Sequence, residues 1–333
     1  MTIEETHIAL AHGNGGRWMR ELIDEIFAKH LKNDVQTDAA PLILENKDWL
    51  ITTDGFTVQP LEFAGGNIGT LAVHGTVNDL AVSGAIPRFL TLNAFIEEGL
   101  EIAQLDHFIS SLAETAKDCN VQIVAGDTKV LRRGEGGGLY LATTGLGEKM
   151  AGVSLGFSHI KSGDKILVSG TVGDHGIAVM LAREQFGLKG DLKSDCANVF
   201  PLTSALSHLK GLRFMRDPTR GGLATVTHEI ARATNMGIRL FQNNIPIRSS
   251  VESVCEMLGY DPLYLACEGR VVAILSLEDA ETALEIWRNH PQGQDAAIIG
   301  EISDKEQHVI IQTELGGERF LEELEDDPLP RIC

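Results

Sequence analysis

Apolar positions along the chain change period several times, and each change marks an element. The run Trp49-Leu-Ile-Thr-Thr-Asp54-Gly55 reads as a short strand ending on an acidic turn. Val121-Gln-Ile-Val-Ala-Gly126-Asp127 repeats the device, as does Lys165-Ile-Leu-Val-Ser-Gly170 followed by Gly173-Asp174. Between these runs the period lengthens. Leu105, Phe108, Ile109, Leu112 and Ala116 fall on one helical face, Ile177, Met180, Leu181 and Phe186 on a second, and a third helix is predicted over roughly 222–234. Lys129 to Arg133 and Leu139 to Thr143 read as two strands joined by the glycine-rich stretch around Gly134 to Gly138, which predicts antiparallel pairing between them. Strands and helices interleave in both halves, with a boundary near 150–161. The pattern predicts two α/β (α+β) domains with mixed sheets flanked by helices.

Composition narrows the function. With 333 residues, 43% of them hydrophobic, and 35 glycines, the chain is long enough for two domains with sizeable cores. A formal charge of −19, with no basic cluster larger than Arg132-Arg133, argues against nucleic acid or an anionic membrane surface as a partner. Any nucleotide must then be held through metal ions and backbone amides. Five cysteines without a Cys-x-x-Cys spacing fit neither a disulfide framework nor a zinc ribbon, so a reducing compartment, the cytoplasm, is expected. No run approaches the length of a membrane span and no signal-peptide core opens the chain.

Candidate chemistry begins with His12-Gly-Asn-Gly15-Gly16-Arg17, whose bare amides and arginine can cradle phosphate at a helix start or can form a plain glycine turn. The absence of any Gly-Lys dipeptide removes a Walker A loop. Four acids stand at expected element ends: Asp38, Asp54, Asp79 and Asp127. Each alone reads as a cap or turn residue, but a set of separated carboxylates is what a hard Mg²⁺ ion holding nucleotide phosphates requires. Asp217-Pro-Thr-Arg220-Gly-Gly reads as a turn feeding a helix, serving phosphate or capping, and His228 inside that helix as a packing residue. Cys119, Cys196, Cys255 and Cys267 read as inert small hydrophobes.

The C-terminal residues form a different kind of feature. After the acidic run from Glu318 to Asp327 come Pro328-Leu-Pro330-Arg-Ile-Cys333, where two prolines forbid a helix and favour an extended arm. Cys333 is therefore expected on a mobile lever, not buried in the fold. Prenylation is not indicated, because the fourth residue from the end is Pro330.

The order of motifs resembles the AIR synthetase (PurM-like) superfamily of ATP-dependent enzymes: Thr52-Thr-Asp54-Gly, Gly75-Thr-Val-Asn78-Asp79-Leu-Ala-Val-Ser-Gly-Ala-Ile-Pro87, Gly126-Asp127-Thr128 and Asp217-Pro-Thr-Arg-Gly-Gly-Leu223. Within it, His12 to Arg17, the Asp217 string and Pro330-Arg-Ile-Cys333 are similar to the carbamoyl dehydratase family of hydrogenase maturation factors, HypE. The resemblance implies a two-domain PurM-like fold with an extended C-terminal tail: a glycine-rich segment over 1–40, an ATP-binding and dimerisation domain over 41–152, a second PurM-like domain over 153–315, and a mobile tail over 316–333. It implies that Cys333 accepts a carbamoyl group from the carbamoyltransferase HypF, that ATP and Mg²⁺ drive its dehydration to an S-cyanate, and that the cyano group passes to HypC–HypD. It also implies a homodimer. Asp38, Asp54, Asp79 and Asp127 become metal and phosphate candidates, Gly15, Gly16, Arg17, Asn78 and Thr128 further nucleotide contacts, and Lys129 with Glu268 the basic pair that deprotonates the carboxamide. Two alternatives carry different expectations. A small-molecule kinase of the same superfamily, such as thiamine-monophosphate kinase or selenophosphate synthetase, would not need Cys333, and a non-catalytic carrier would not need the carboxylates.

Overall fold

The computed structural model describes residues 17–22, 40–44, 47–183, 190–305, 307–325 and 332–333. Its first half contains α1 (Arg17–Leu22), β1 (Ala40–Leu44), β2 (Lys47–Phe56), β3 (Glu62–Phe63), β4 (Gly66–Asn67), α2 (Ile68–Val82), β5 (Ala85–Glu97), α3 (Ile102–Asp118), β6 (Gln122–Leu131) and β7 (Leu139–Lys149). The second half contains β8 (Lys165–Val168), α4 (Asp174–Ala182), α5 (Phe200–Leu206), β9 (Leu212–Arg216), α6 (Gly222–Thr234), β10 (Gly237–Phe241), α7 (Ser249–Leu258), β11 (Val272–Leu275), α8 (Leu277–Arg288), β12 (Ala297–Ser303), β13 (Val309–Gln312) and β14 (Glu318–Phe320). Each half has its own mixed sheet, in the orders β1-β2-β7-β5-β6 and β14-β13-β10-β12-β8-β11-β9. The break falls between β7 and β8, over residues 150–164.

One pairing expectation is corrected. β6 and β7 are joined by the glycine-rich loop but do not pair; β5 lies between them, parallel to β6 and antiparallel to β7. A hairpin reading fails here because β5, at 13 residues, offers hydrogen-bonding edges to both strands.

Helix α2 explains how the halves become one body. It is buried on nearly all sides, from Ile68 and Gly69 to Ala81 and Val82, as a helix shared between two sheets must be. Its Leu71, Ala72, Val73 and Val77 enter the core beneath the first sheet, while Ala81 and Val82 enter a core with α5, α8 and the second sheet. Asn67 starts it with a capping box, accepting from Gly69 N and Thr70 N while Thr70 Oγ1 accepts from Asn67 N. Helix α3 is amphipathic as the spacing predicts, burying Phe108, Leu112 and Ala116; a large apolar side chain such as Phe108 stabilises by about 2 kcal/mol when removed from water.

The C-terminal segment is less free than the sequence suggests. Residues 318–320 pair with β13, Leu321 is buried, and Tyr264 Oη donates to the Glu322 carbonyl. The chain thus stays on the second domain as far as Leu324, which lies against Gly221.

Candidate functional site

The site forms where β2, α2 and the turn before α6 meet. In β2 the even positions face inward, so Thr52, Asp54 and Phe56 share one side with α2. Gly75 of α2 permits the approach: a Cβ there would lie 2.7 Å from the Phe56 ring and 3.6 Å from Asp54 Oδ2. One turn further along α2, Asp79 Oδ2 accepts from Thr52 Oγ1 at 2.8 Å, and Asp54 Oδ1 accepts from Gly55 N at 2.8 Å. Gly221 and Gly222 follow Asp217 and Arg220 in left-handed conformations (φ 70° and 58°), which turn the chain into α6. A Cβ on Gly222 would collide with the Leu265 carbonyl at 2.5 Å, so this turn seats directly against the strand approach that carries Glu268.

Electrostatics tie these groups together. Burial and the charges of Asp217 and Asp54 hold Asp79 well above the usual carboxylate range, against the hydroxyl of Thr52 and the guanidinium of Arg220. Burial raises Asp54 too, opposed by Arg220 and the Gly55 amide. Asp217 is raised to about 6, mainly by burial, with Arg216 and Arg220 pulling the other way. Glu268 stands well above its ordinary value for the same reason, with Asp217, Asp54 and Asp195 adding to burial; its Oε1 is buried and has no hydrogen-bond partner. Burial alone would lower Arg220, but the negative charges of Cys333, Asp54, Asp79 and Glu268 outweigh it and raise it instead. Arg220 is exposed by area yet densely surrounded, as a side chain in an open cleft is.

Cys333 belongs to this cluster. Its main-chain oxygen accepts from Thr57 N at 3.0 Å and Thr57 Oγ1 at 3.2 Å, just past the end of β2. The preceding Ile332 carbonyl accepts from His175 Nε2 at 2.8 Å, and the Ile332 side chain packs in the first domain's core. The expectation that Cys333 stands away from the fold is corrected. Ile332 is apolar enough to dock, and buried donors satisfy both carbonyls.

The other candidates separate. Asp127 and Lys129 form a 2.8 Å ion pair on β6, both more than half exposed. The registers Asp54↔Thr143, Leu92↔Thr143 and Leu92↔Gly126 put Gly126 on the Asp54 face, and therefore Asp127 and Lys129 on the opposite face of the sheet within one chain. Lys129 is accordingly not brought to Glu268 by this chain alone. Thr128 donates its backbone N–H to Asp127 Oδ1. Asn78 is spent on the scaffold: Nδ2 donates to the Ala197 and Glu268 carbonyls, and Oδ1 accepts from Val199 N. Arg17 opens α1, with its N–H on the Leu324 carbonyl and its side chain near Glu21 and Glu325. Gly15, Gly16 and Asp38 lie outside the described residues.

Among the described residues, no three His, Cys, Asp or Glu side chains converge on a possible metal position. Asp54 and Asp79 nevertheless suit Mg²⁺: they are hard oxygen donors raised by burial, Asp79 also by the charges of Asp217 and Asp54, and Mg²⁺ commonly takes one or two carboxylates with phosphate oxygens and water. The remaining cysteines are inert as expected. Burial pushes Cys119 and Cys255 up to about 12, and Cys196 and Cys267 well above the usual thiol range. His228 Nε2 meets the Leu321 carbonyl at 2.9 Å, a packing role. Thr57 and His175 carry no sequence signal, since their partners lie 276 and 157 residues away.

Family models for AIR synthase related proteins match the chain over 36–149 (N-terminal domain) and 161–312 (C-terminal domain). Carbamoyl dehydratase HypE of Azotobacter vinelandii is 42% identical over 331 residues, covering 98% of this chain and 97% of that protein. Among solved structures, a HypE–HypF complex superposes with a TM-score of 0.86 at 43% identity, covering 91% of this chain and 99% of the other. A HypE structure in complex with ATP gives 0.82 at 40%, covering 98% and 100%. Thiamine monophosphate kinase from Aquifex aeolicus shares the fold, with a TM-score of 0.67, at 18% identity.

Proposed function

The chain belongs to the AIR synthase related proteins and, within them, to the carbamoyl dehydratase HypE family, and from that premise we propose that it dehydrates a carbamoyl group carried on its own Cys333 to an S-cyanate at the expense of ATP. The observation that carries this reading is the docking of the Cys333 main chain on Thr57, three residues past Asp54, where the charge of Cys333 acts on Arg220 together with those of Asp54, Asp79 and Glu268. A small-molecule kinase has no use for a chain end in its phosphate site, and a passive carrier has no use for the acids.

The chemistry accounts for the arrangement. An amide oxygen is a poor leaving group, so it must become a phosphate ester before it can depart. The carboxamide oxygen attacks the γ-phosphorus of ATP, the bond to ADP breaks, and an S-imidoyl phosphate forms as one amide proton is lost. Cleavage of its C–O bond with loss of the second N–H proton gives inorganic phosphate and the nitrile. Asp54 and Asp79 would hold Mg²⁺, which supplies charge neutralisation to the phosphates. Arg220 faces the same negative charge from the protein side. Glu268 is the base: burial and the neighbouring acids raise its affinity for a proton, and its unpartnered Oε1 is available to accept one.

We further propose that two copies pair through their first domains. The outer strand β6 is exposed along almost its whole length and presents Ile123, Val124 and Val130, with Phe95 beside it on β5. An apolar open edge of that length is what a partner strand or sheet face would cover. Such pairing is also the means by which Asp127 and Lys129, on the outer face, can reach a site. We propose HypF, the partner in the solved HypE–HypF pair, as the carbamoyl donor, and HypC–HypD as the cyano acceptor. No helix among the described residues is long and apolar enough to cross a membrane, and we place the reaction in the cytoplasm.

Incubation with carbamoyl phosphate, ATP and HypF, followed by mass spectrometry of the peptide ending in Cys333, tests the reading. Cys333→Ala should abolish product while ATP binding, measured by calorimetry, is retained. An S-cyanate on any other cysteine would overturn the assignment.

A further inference from the structure

We propose that His175 is the latch for the docked chain end and that, through Ser194 and Asp195, it positions Glu268 when the end is docked. His175 takes no part in the chemistry above, yet it is fully buried in the middle of α4's first turn and each ring nitrogen has a partner at 2.8 Å. The Ile332 carbonyl can only accept, so Nε2 carries the proton. Burial holds His175 below its usual pKa, so the ring is neutral and Nδ1 is an acceptor. Ser194 Oγ–H therefore donates to Nδ1, which turns the hydroxyl oxygen toward the Cys196 N–H, accepted at 3.0 Å. The edge of Phe63 stands against the imidazole at 5.2 Å and 89°, fixing its plane.

Between Ser194 and Cys196 lies Asp195. Its carboxylate, wholly buried, accepts the backbone N–H of Glu268 (3.2 Å) and of Gly269 (3.2 Å) and faces Arg270 at 3.5 Å. The path from the Ile332 carbonyl to the backbone of Glu268 thus runs through hydrogen bonds to Ser194 and Cys196, the covalent backbone of Asp195 between them, and hydrogen bonds from Glu268 N and Gly269 N to the Asp195 carboxylate. His175 holds the end through the main-chain carbonyl of Ile332, whose side chain packs in the core, so the latch acts on the penultimate residue. Releasing the end removes the acceptor of Nε2, and the relay loses the bond that fixes the His175 tautomer. His175 is a positioning residue in this scheme, not a catalytic one.

The test uses the full-length chain and two readouts. The first is the rate at which iodoacetamide alkylates Cys333, followed on its peptide by mass spectrometry; this needs no activity and is independent of the dehydratase reading on which the second readout rests. The second is the single-turnover conversion of the S-carboxamide to S-cyanate. His175→Ala should raise alkylation about tenfold, the effect of one buried hydrogen bond, whereas His175→Gln, which keeps a donor near the Nε2 position, should stay within about twofold of wild type. Ser194→Ala should leave alkylation near wild type but slow the single turnover, because only the relay is cut. Wild-type alkylation in His175→Ala overturns the latch, and a wild-type turnover in Ser194→Ala overturns the relay. Should His175→Ala fail to fold, Thr57→Val and Ile332→Gly change other contacts of the docked end, the Thr57 Oγ1 bond to the Cys333 oxygen and the buried Ile332 side chain. Either must accelerate alkylation, and if neither does the latch is refuted. If wild type forms no S-cyanate at all, the dehydratase reading fails while the alkylation series still decides the latch.

Discussion

Asp217 has a folded pKa of about 6 against an ordinary value of 3.8, and this difference has a sign. The folded chain holds the proton more tightly, so between pH 3.8 and 6 the unfolded chain releases it first and stability falls as pH rises. Above pH 6 the cost is complete, at most about 3 kcal/mol for a two-unit shift. His74 works in the opposite sense. Burial lowers it from 6.5 to about 4, so between those values stability rises with pH. Asp217→Asn removes only the first contribution. The nucleotide-free variant should be more stable than wild type at pH 7.5, with the gain disappearing toward pH 4, as measured by urea unfolding. An equal gain at both values, or a loss confined to pH 7.5, would show that Asp217 does not carry this repulsion. The residue scale was only partly legible in the sequence. Asp54 and Asp79 stood out as acids at expected element ends, although β2 runs on to Phe56 and α2 to Val82, and Glu268 stood out through family resemblance. Thr57 and His175 could not be found, because a hydrogen bond to a distant carbonyl leaves no spacing to read.

At the scale of elements, helices were the most legible. The helix α6 occupies the expected 222–234, because its apolar period and its flanking glycine and asparagine turns agree. Strand existence was equally clear, but strand neighbours were not, since alternation specifies which face is buried and not which strand lies next to it. That missing information is what separates Asp127 from Asp54: of the four acids, the three among the described residues fall two on one side of the first sheet, Asp54 and Asp79, and one, Asp127, on the other. If two copies complete the site, Asp79 of one and Asp127 of the other act together, and the prediction is complementation. Asp79→Ala and Asp127→Ala should each abolish Mg²⁺-dependent ATP turnover. Refolding the two variants together at equal concentration should restore roughly a quarter of wild-type turnover, since half the dimers are mixed and one of their two sites is intact. No recovery would confine the site to one chain. Val124→Asp tests the same surface from the other side: it places a charge on the exposed apolar edge and should shift the sedimenting species toward monomer while leaving the unfolding free energy of the monomer within about 0.5 kcal/mol.

At the scale of the molecule, two sheets share one buried helix, and the end of the chain returns to the seam. Ile332 sits in the core that joins the first sheet to α4 and α7, and Cys333 is held by Thr57 at the margin of β2. The two-domain division was legible because each half repeats its own strand and helix pattern. The return of the chain end was not, since proline and charge in the preceding residues argue for an arm and do not say where it stops. The return makes the position of the last residue a functional quantity. Residues 325 to 333 can span at most roughly 30 Å when extended, enough to leave the seam for a partner's site and come back. Four residues added after Cys333 would have to pass the Thr57 contacts and Arg220 on their way out of the cleft. Such a variant should fold and bind ATP as wild type does, and its Cys333 should still be carbamoylated by HypF away from the seam. Its conversion to S-cyanate should fall by tenfold or more, about the effect of losing one buried hydrogen bond at the docked end. Full conversion of the extended chain would mean that the seated end is not the reacting state, and that dehydration takes place with Cys333 elsewhere.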